Sequence, residues 1–153
     1  MQALLTVMAL WLSASGELPP IEEHPRIELV SSERMLERRR ERLASGSEDD
    51  TQYGTLDETE TWSGIHAYYS DTERTIYLPD TWTADSPAQV SLLVHELVHH
   101  VQNVSGANHP CPAAREKAAY QAQSQWLGLM GTSLEAEFGI DAMTLLVRTN
   151  CMH

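Results

Sequence analysis

Positive charge is scarce in this chain. Lys and Arg number 10 against 22 Asp and Glu, the formal net charge is −12, and Lys117 is the single lysine in 153 residues. A field of that sign repels a phosphate backbone, so nucleic acid is not an expected partner. The one basic stretch, Arg34 with Arg38, Arg39, Arg40 and Arg42, is interleaved with Glu33, Glu37 and Glu41, which is the pattern of a solvated helix face paired with itself. Long apolar runs are also missing. The run at 3–12 falls well short of the roughly 20 residues that cross a bilayer. It lies in an uncharged opening segment, MQALLTVMALWLSASG, which ends in small residues near Gly16 but has no basic residue at its start. The expectation is a cleaved export signal over 1–16, with an N-terminal core helix or a stable anchor as the alternatives. Export places the mature chain in a secreted or periplasmic setting, with no stable membrane span after cleavage.

Cysteine is nearly absent. Cys111 and Cys151 show no CxxC spacing, and in an oxidising compartment an even pair favours one disulfide over two buried thiols. No internal repeat is visible, and the length allows one domain of ordinary size. Residues 17–60 read as an apolar run at 27–30, a polar helix at 32–43, and an acidic, aperiodic loop at 45–60. The stretch 61–153 opens with two β-rich runs, GIHAYYS and RTIYLP, flanking a turn at Ser70, Asp71, Thr72 and Glu73, which predicts a hairpin. Pro79 closes the second strand or makes it an edge.

The most informative segment is SPAQVSLLVHELVHHVQNVSG at 86–106. Ser86 as N-cap, Pro87 at the first helical position and Gln89 in an S-x-x-Q box agree on where a helix starts, and Gly106 stops it. Val90, Leu93, Val94, Leu97, Val98 and Val101 make it a mostly buried helix. His95 and His99 lie four residues apart on one face, so both imidazoles can reach a single ion at Zn–N distances of about 2.0–2.1 Å. Glu96 between them can address a water on that ion. Composition predicts only about 0.03 accidental H-E-x-x-H matches in a chain of this make-up. Two histidines and a glutamate buried on such a helix need a partner, which a metal supplies.

His95, Glu96 and His99 carry a resemblance to the zincin metallopeptidases, in which two His bind zinc and the Glu acts as general base. The metzincin continuation is absent, with Gln102 and Ser105 where its Gly and third His belong. After the loop SGANHPCP a second helix begins near Pro112 and carries Glu116 in its first turns. Its small-residue face, from Ala113 to Ala122, would let it lie close to the first helix, and Gly131 ends it. Helix, turn and second helix with a carboxylate resembles the gluzincin scheme, which implies Glu116 as third metal ligand beside His95 and His99, with Glu96 catalytic. The chain has Tyr120 where that scheme usually places an Asp. It is also similar, from about Gly64 onward, to small secreted bacterial zincin-like proteins.

His109 competes with Glu116 for the third position. His100, rotated about 100° from His99, is expected to make a structural hydrogen bond. Tyr120 either donates to a developing oxyanion or is an amphipathic core tyrosine, and Gln102 and Gln123 are weaker candidates near the ligands. In zincins an edge strand before the active helix takes up extended substrate, and RTIYLP at 74–79 holds that place. A T-x-x-E box at Thr132 and Glu135, then Asp141 before AMTLLVRT, predict the last helices. Leu145, Leu146 and Val147 are expected to pack behind the metal helices.

The resulting expectation is an α+β, zincin-like domain: a secreted zinc metallopeptidase acting on peptide or protein substrates through a zinc-activated water. A noncatalytic zinc-binding or protein-interaction module of the same fold is the alternative.

Overall fold

The computed structural model describes residues 1–16, 18–45 and 67–152. The expected acidic loop beyond Ser45, and residues 64–66 of the expected first hairpin strand, lie outside the described residues. What is described is mixed α+β, with six helices and one three-stranded sheet. In chain order these are α1 (Gln2–Ser15), β1 (Arg26–Val30), α2 (Ser32–Ser45), β2 (Tyr68–Ser70), β3 (Thr75–Pro79), α3 (Pro87–Val104), α4 (Pro112–Leu129), α5 (Leu134–Phe138) and α6 (Ala142–Thr149).

The predicted hairpin forms, with β2 antiparallel to β3 in the register Tyr69↔Ile76. The expectation that 74–79 is an edge strand is corrected. The sheet order is β1-β3-β2, so β3 is central, with β1 parallel to it on the other side in the register Ile27↔Ile76. Pro79 is tolerated because it ends the ladder opposite Val30, whose carbonyl instead accepts from the Asp80 N–H at 2.7 Å. Both faces of β3 are covered, which is why all five of its residues are buried. Tyr69, Ile76 and Leu78 join the main core with Leu93, Val94, Leu97 and Val98 of α3. Tyr68 and Tyr77 form a second small cluster with Met35 of α2. Thus β1 and α2, from the segment ahead of the acidic stretch of sequence, pack with the hairpin, β1 in its sheet and α2 through Met35 against Tyr68 and Tyr77.

The arginine-rich helix behaves as a self-paired face at Arg34, which reaches Glu37 at 3.1 Å and Glu41 at 3.5 Å. Arg38 instead crosses to Glu73 at 2.8 Å and stacks over the Tyr77 ring.

α1 is a packed helix. Leu5, Met8 and Leu12 fall on one side of it and are buried in the main core, and Trp11 meets Trp126 of α4 edge-on at 5.1 Å. Its opposite side leaves Val7 and Leu10 exposed. Removal of residues 1–16 would uncover the apolar surface of α3 and α4 that α1 now covers. No described helix is long and apolar enough to cross a membrane.

α3 starts where its caps predict, with Ser86 accepting from the Gln89 N–H. The other half of the box is spent differently, because Gln89 Oε1 accepts from the Thr83 N–H and hydroxyl rather than from Ser86. Gly106 and Gly131 take positive φ just past the ends of α3 and α4. Two expectations for the C-terminal helices are corrected. Ser133, not Thr132, caps α5. Leu146 and Val147 are exposed, because α6, capped by Asp141, buries Thr149 and turns Arg148 toward α4.

Candidate metal centre

α3 is buried nearly all round, yet one of its faces is polar. Ser91, His95, His99 and Gln102 recur at helical spacing and turn toward α4, the helix with which α3 packs most extensively. The facing stripe of α4 is Glu116, Ala119, Gln123 and Trp126, in which Ala119 brings the two backbones close between the polar positions. The two stripes bring together the three ligands read from the sequence. One donor atom from each of His95, His99 and Glu116 lies within 4.8 Å of the others, so this group could hold a metal ion. Glu116 bridges the imidazoles, with Oε2 3.0 Å from His95 Nε2 and Oε1 3.2 Å from His99 Nε2. The rings of the two histidines meet edge to face, 72° apart at 4.9 Å between centroids.

The donor set suits a borderline divalent ion, since two imidazole nitrogens and one carboxylate form a three-ligand site with an open position. Both remaining imidazole nitrogens are engaged by glutamines that the sequence reading ranked low. His95 Nδ1 is 2.9 Å from Gln123 Oε1, and His99 Nδ1 is 3.0 Å from Gln102 Oε1.

Without a metal the charges settle among these groups. Burial opposes ionisation of Glu116, but the two histidines outweigh it and hold the carboxyl far below its ordinary range. Burial likewise opposes charging His95, but the hydrogen bond and charge of Glu116, with the charge of Glu96, raise its pKa. Glu116, depressed on folding, contributes stability that is present above its ordinary value of 4.5 and is lost as pH falls through its folded value. His95, raised on folding, contributes stability that is complete below its ordinary value of 6.5 and is lost as pH rises through its folded value. Both contributions are complete only between those ordinary values. In the metal-free protein the stabilisation from this pair is therefore expected to be greatest between pH 4.5 and 6.5, so the difference in melting between wild type and Glu116→Gln should be largest there, as thermal unfolding across pH in the presence of a chelator will record.

The surrounding residues fix α4 beside α3. Arg115, adjacent to Glu116, clamps Asp71 of the hairpin turn with two bonds of 2.7 and 2.5 Å and reaches the His99 carbonyl at 3.4 Å. His100 is structural, as expected. Its Nε2–H donates to the Glu23 carbonyl at 2.8 Å and its Nδ1 accepts from the Tyr69 hydroxyl at 2.9 Å, tying α3 to β2 and to the segment before β1. The Tyr69 oxygen also accepts from Asn103. Tyr120 sets its ring edge-on against His95 at 4.7 Å, and its oxygen accepts from Arg148 at 3.1 Å. Burial and the charges of Glu116 and Glu96 push the phenol pKa up, so its proton stays on. Glu96 is 2% exposed. His109 stays outside the metal group. Among the described residues its Nε2 is buried without a hydrogen-bond partner, and burial followed by the charges of Arg115 and His99 lowers its pKa.

The expected disulfide is present and joins Cys111, the N-cap of α4, to Cys151 just beyond α6. It closes a 40-residue separation, worth about 4 kcal/mol in the loop-entropy account. Cys151→Ser is expected to lower the unfolding midpoint and to weaken metal binding, because the start of the Glu116 helix loses its tether. Denaturant unfolding and chelator competition measure the two effects.

A family model for a domain of unknown function, DUF6647, matches residues 1–153. No curated protein and no solved structure matches the chain. With the match running from the first residue to the last, the chain belongs to the family of the DUF6647 domain of unknown function.

Proposed function

We propose that this protein is a secreted or periplasmic zinc metallopeptidase that hydrolyses peptide bonds in peptide or protein substrates. The observation that carries this reading is the convergence of His95, His99 and Glu116 on one point, with Glu96 in the second position of H-E-x-x-H. His95, His99 and Glu116 would hold the zinc ion, which when bound would supply a Lewis acid for the scissile carbonyl and lower the pKa of a water toward neutrality.

The chain's own groups do the rest. Glu96 takes the proton of the attacking water on its carboxylate and delivers it to the leaving amine. Tyr120 keeps its proton, and its oxygen already accepts from Arg148, so the O–H is left to donate to negative charge developing on the substrate oxygen. In this reading the fold is a compact zincin-like domain, and the acidic surface keeps nucleic acid away.

One observation favours a second reading, a noncatalytic zinc-binding or interaction module. His99 and Glu96 are 1% and 2% exposed, so the centre is sheltered from solvent, as a metal kept for stability would be. Metal analysis of the purified protein and cleavage of a mixed peptide library, with and without chelator, separate the two. About one zinc per chain with chelator-sensitive cleavage supports the peptidase. Bound zinc with no cleavage across the library supports the module, and no bound metal refutes both.

A further inference from the structure

The two glutamines beside the ligands do more than fill space, and the atoms at their far ends show why. Gln102 Nε2 lies 3.0 Å from the main-chain carbonyl of Arg115. A carbonyl only accepts, so the NH₂ end of this amide must face it, and the oxygen end must face His99. An amide oxygen also only accepts, so His99 Nδ1, 3.0 Å away, carries the proton.

The second relay runs the same way with one more member. The Ser91 hydroxyl donates to the Ala88 carbonyl at 2.8 Å, which spends its only proton. At its other contact, 3.1 Å from Gln123 Nε2, the serine oxygen therefore accepts. That sets Gln123 with its NH₂ toward Ser91 and its oxygen toward His95, whose Nδ1 must be the donor at 2.9 Å. Each relay thus starts on a main-chain carbonyl in the first turn of a helix, Ala88 in α3 and Arg115 in α4, and ends on an imidazole.

We infer that Gln102 and Gln123 are positioning residues that hold both imidazoles as Nδ1–H tautomers, leaving the two Nε2 lone pairs directed with the Glu116 carboxylate at a single cation. The inference rests on the metal-binding reading of this centre and adds to it the groups that preset the ligands. Three electron pairs facing one another within hydrogen-bonding distance repel unless a cation or protons stand between them. The relays therefore prepare the site for a metal before it arrives. They also assign the role left vacant by Tyr120, which stands where the gluzincin pattern would place an orienting Asp.

The test compares the whole protein with Gln102→Met, Gln123→Met and Gln123→Glu. Zinc affinity is measured by competition with a chromophoric chelator, and the imidazole N–H protons are followed by NMR. Methionine keeps the volume and removes the acceptor. Each Met variant is expected to bind zinc about 10–100-fold more weakly, and its Nδ1–H resonance to be lost to solvent exchange. Gln123→Glu is expected to bind as the wild type does, because a carboxylate still accepts from His95 and Ser91 can turn its hydroxyl to donate.

Folded Met variants with unchanged zinc affinity would overturn the inference while leaving the metal site standing. Wild-type protein that binds no zinc would overturn the metal reading and this inference together. Should a Met variant fail to fold, Gln123→Glu remains decisive: loss of zinc from that folded variant contradicts the relay.

Discussion

Replacing Glu116 with alanine is expected to strip the protein of zinc. The variant loses the only carboxylate in the ligand group and the atom pair that bridges both imidazoles, at 3.0 and 3.2 Å. Two imidazoles alone form a weak site, so affinity should fall at least about 100-fold, beyond the roughly 10–100-fold that losing an outer hydrogen-bond partner costs. His99→Ala is expected to do the same by removing a nitrogen ligand. The effect extends to the metal-free state, because the depressed Glu116 and the raised His95 sustain each other there. Without the carboxylate, His95 loses its first favourable partner and the pair's stabilisation at mildly acidic pH disappears. Metal analysis after dialysis, with pH-dependent melting of the same samples, checks both halves. Zinc retained at full affinity in Glu116→Ala would remove Glu116 as a ligand and return His109 to consideration.

The second large effect belongs to Glu96. Glu96→Gln keeps the shape of the side chain and cannot accept a proton, so peptide hydrolysis is expected to drop by about 10²–10⁴-fold. Zinc content should stay at the wild-type level, because Glu96 is not among the ligand atoms. This split between bound metal and lost turnover distinguishes a general base from a ligand. A Glu96→Gln protein that cleaves as fast as the wild type would refute the proposed mechanism. Zinc lost together with activity would instead make Glu96 part of the support of the site.

Much of the centre was readable in the chain itself. The caps of α3, the four-residue spacing of His95 and His99, and a carboxylate early in the following helix are local signals, and local signals survive folding unchanged. The partners of the ligands were harder to see. Ser91, His95, His99 and Gln102 repeat at intervals of four, four and three, a polar stripe on an otherwise apolar helix, and that stripe alone could have promoted Gln102. Gln123 could not be found this way, since its role depends on how α4 lies across α3.

The sheet was misread for a similar reason. RTIYLP shows its hairpin partner within a few residues, but its parallel partner β1 lies far upstream, beyond α2 and the acidic stretch of sequence. No pattern inside the strand announces a second neighbour. Leu146 and Val147 mislead in the opposite way: apolar residues at helical spacing suggested a buried face, while α6 presents Arg148 to Tyr120 and leaves both exposed.

α1 gives residues 1–16 two possible destinations. Under the proposed export the segment would have to leave α3, whereas as α1 it closes over α3 with Leu5, Met8 and Leu12. A single chain cannot satisfy both at once, so in the export reading the outcome would be a race between translocation and folding. Acidic substitutions at Leu5 or Met8 would loosen the folded side of that race, and stronger burial there would tend to trap the protein where it was made.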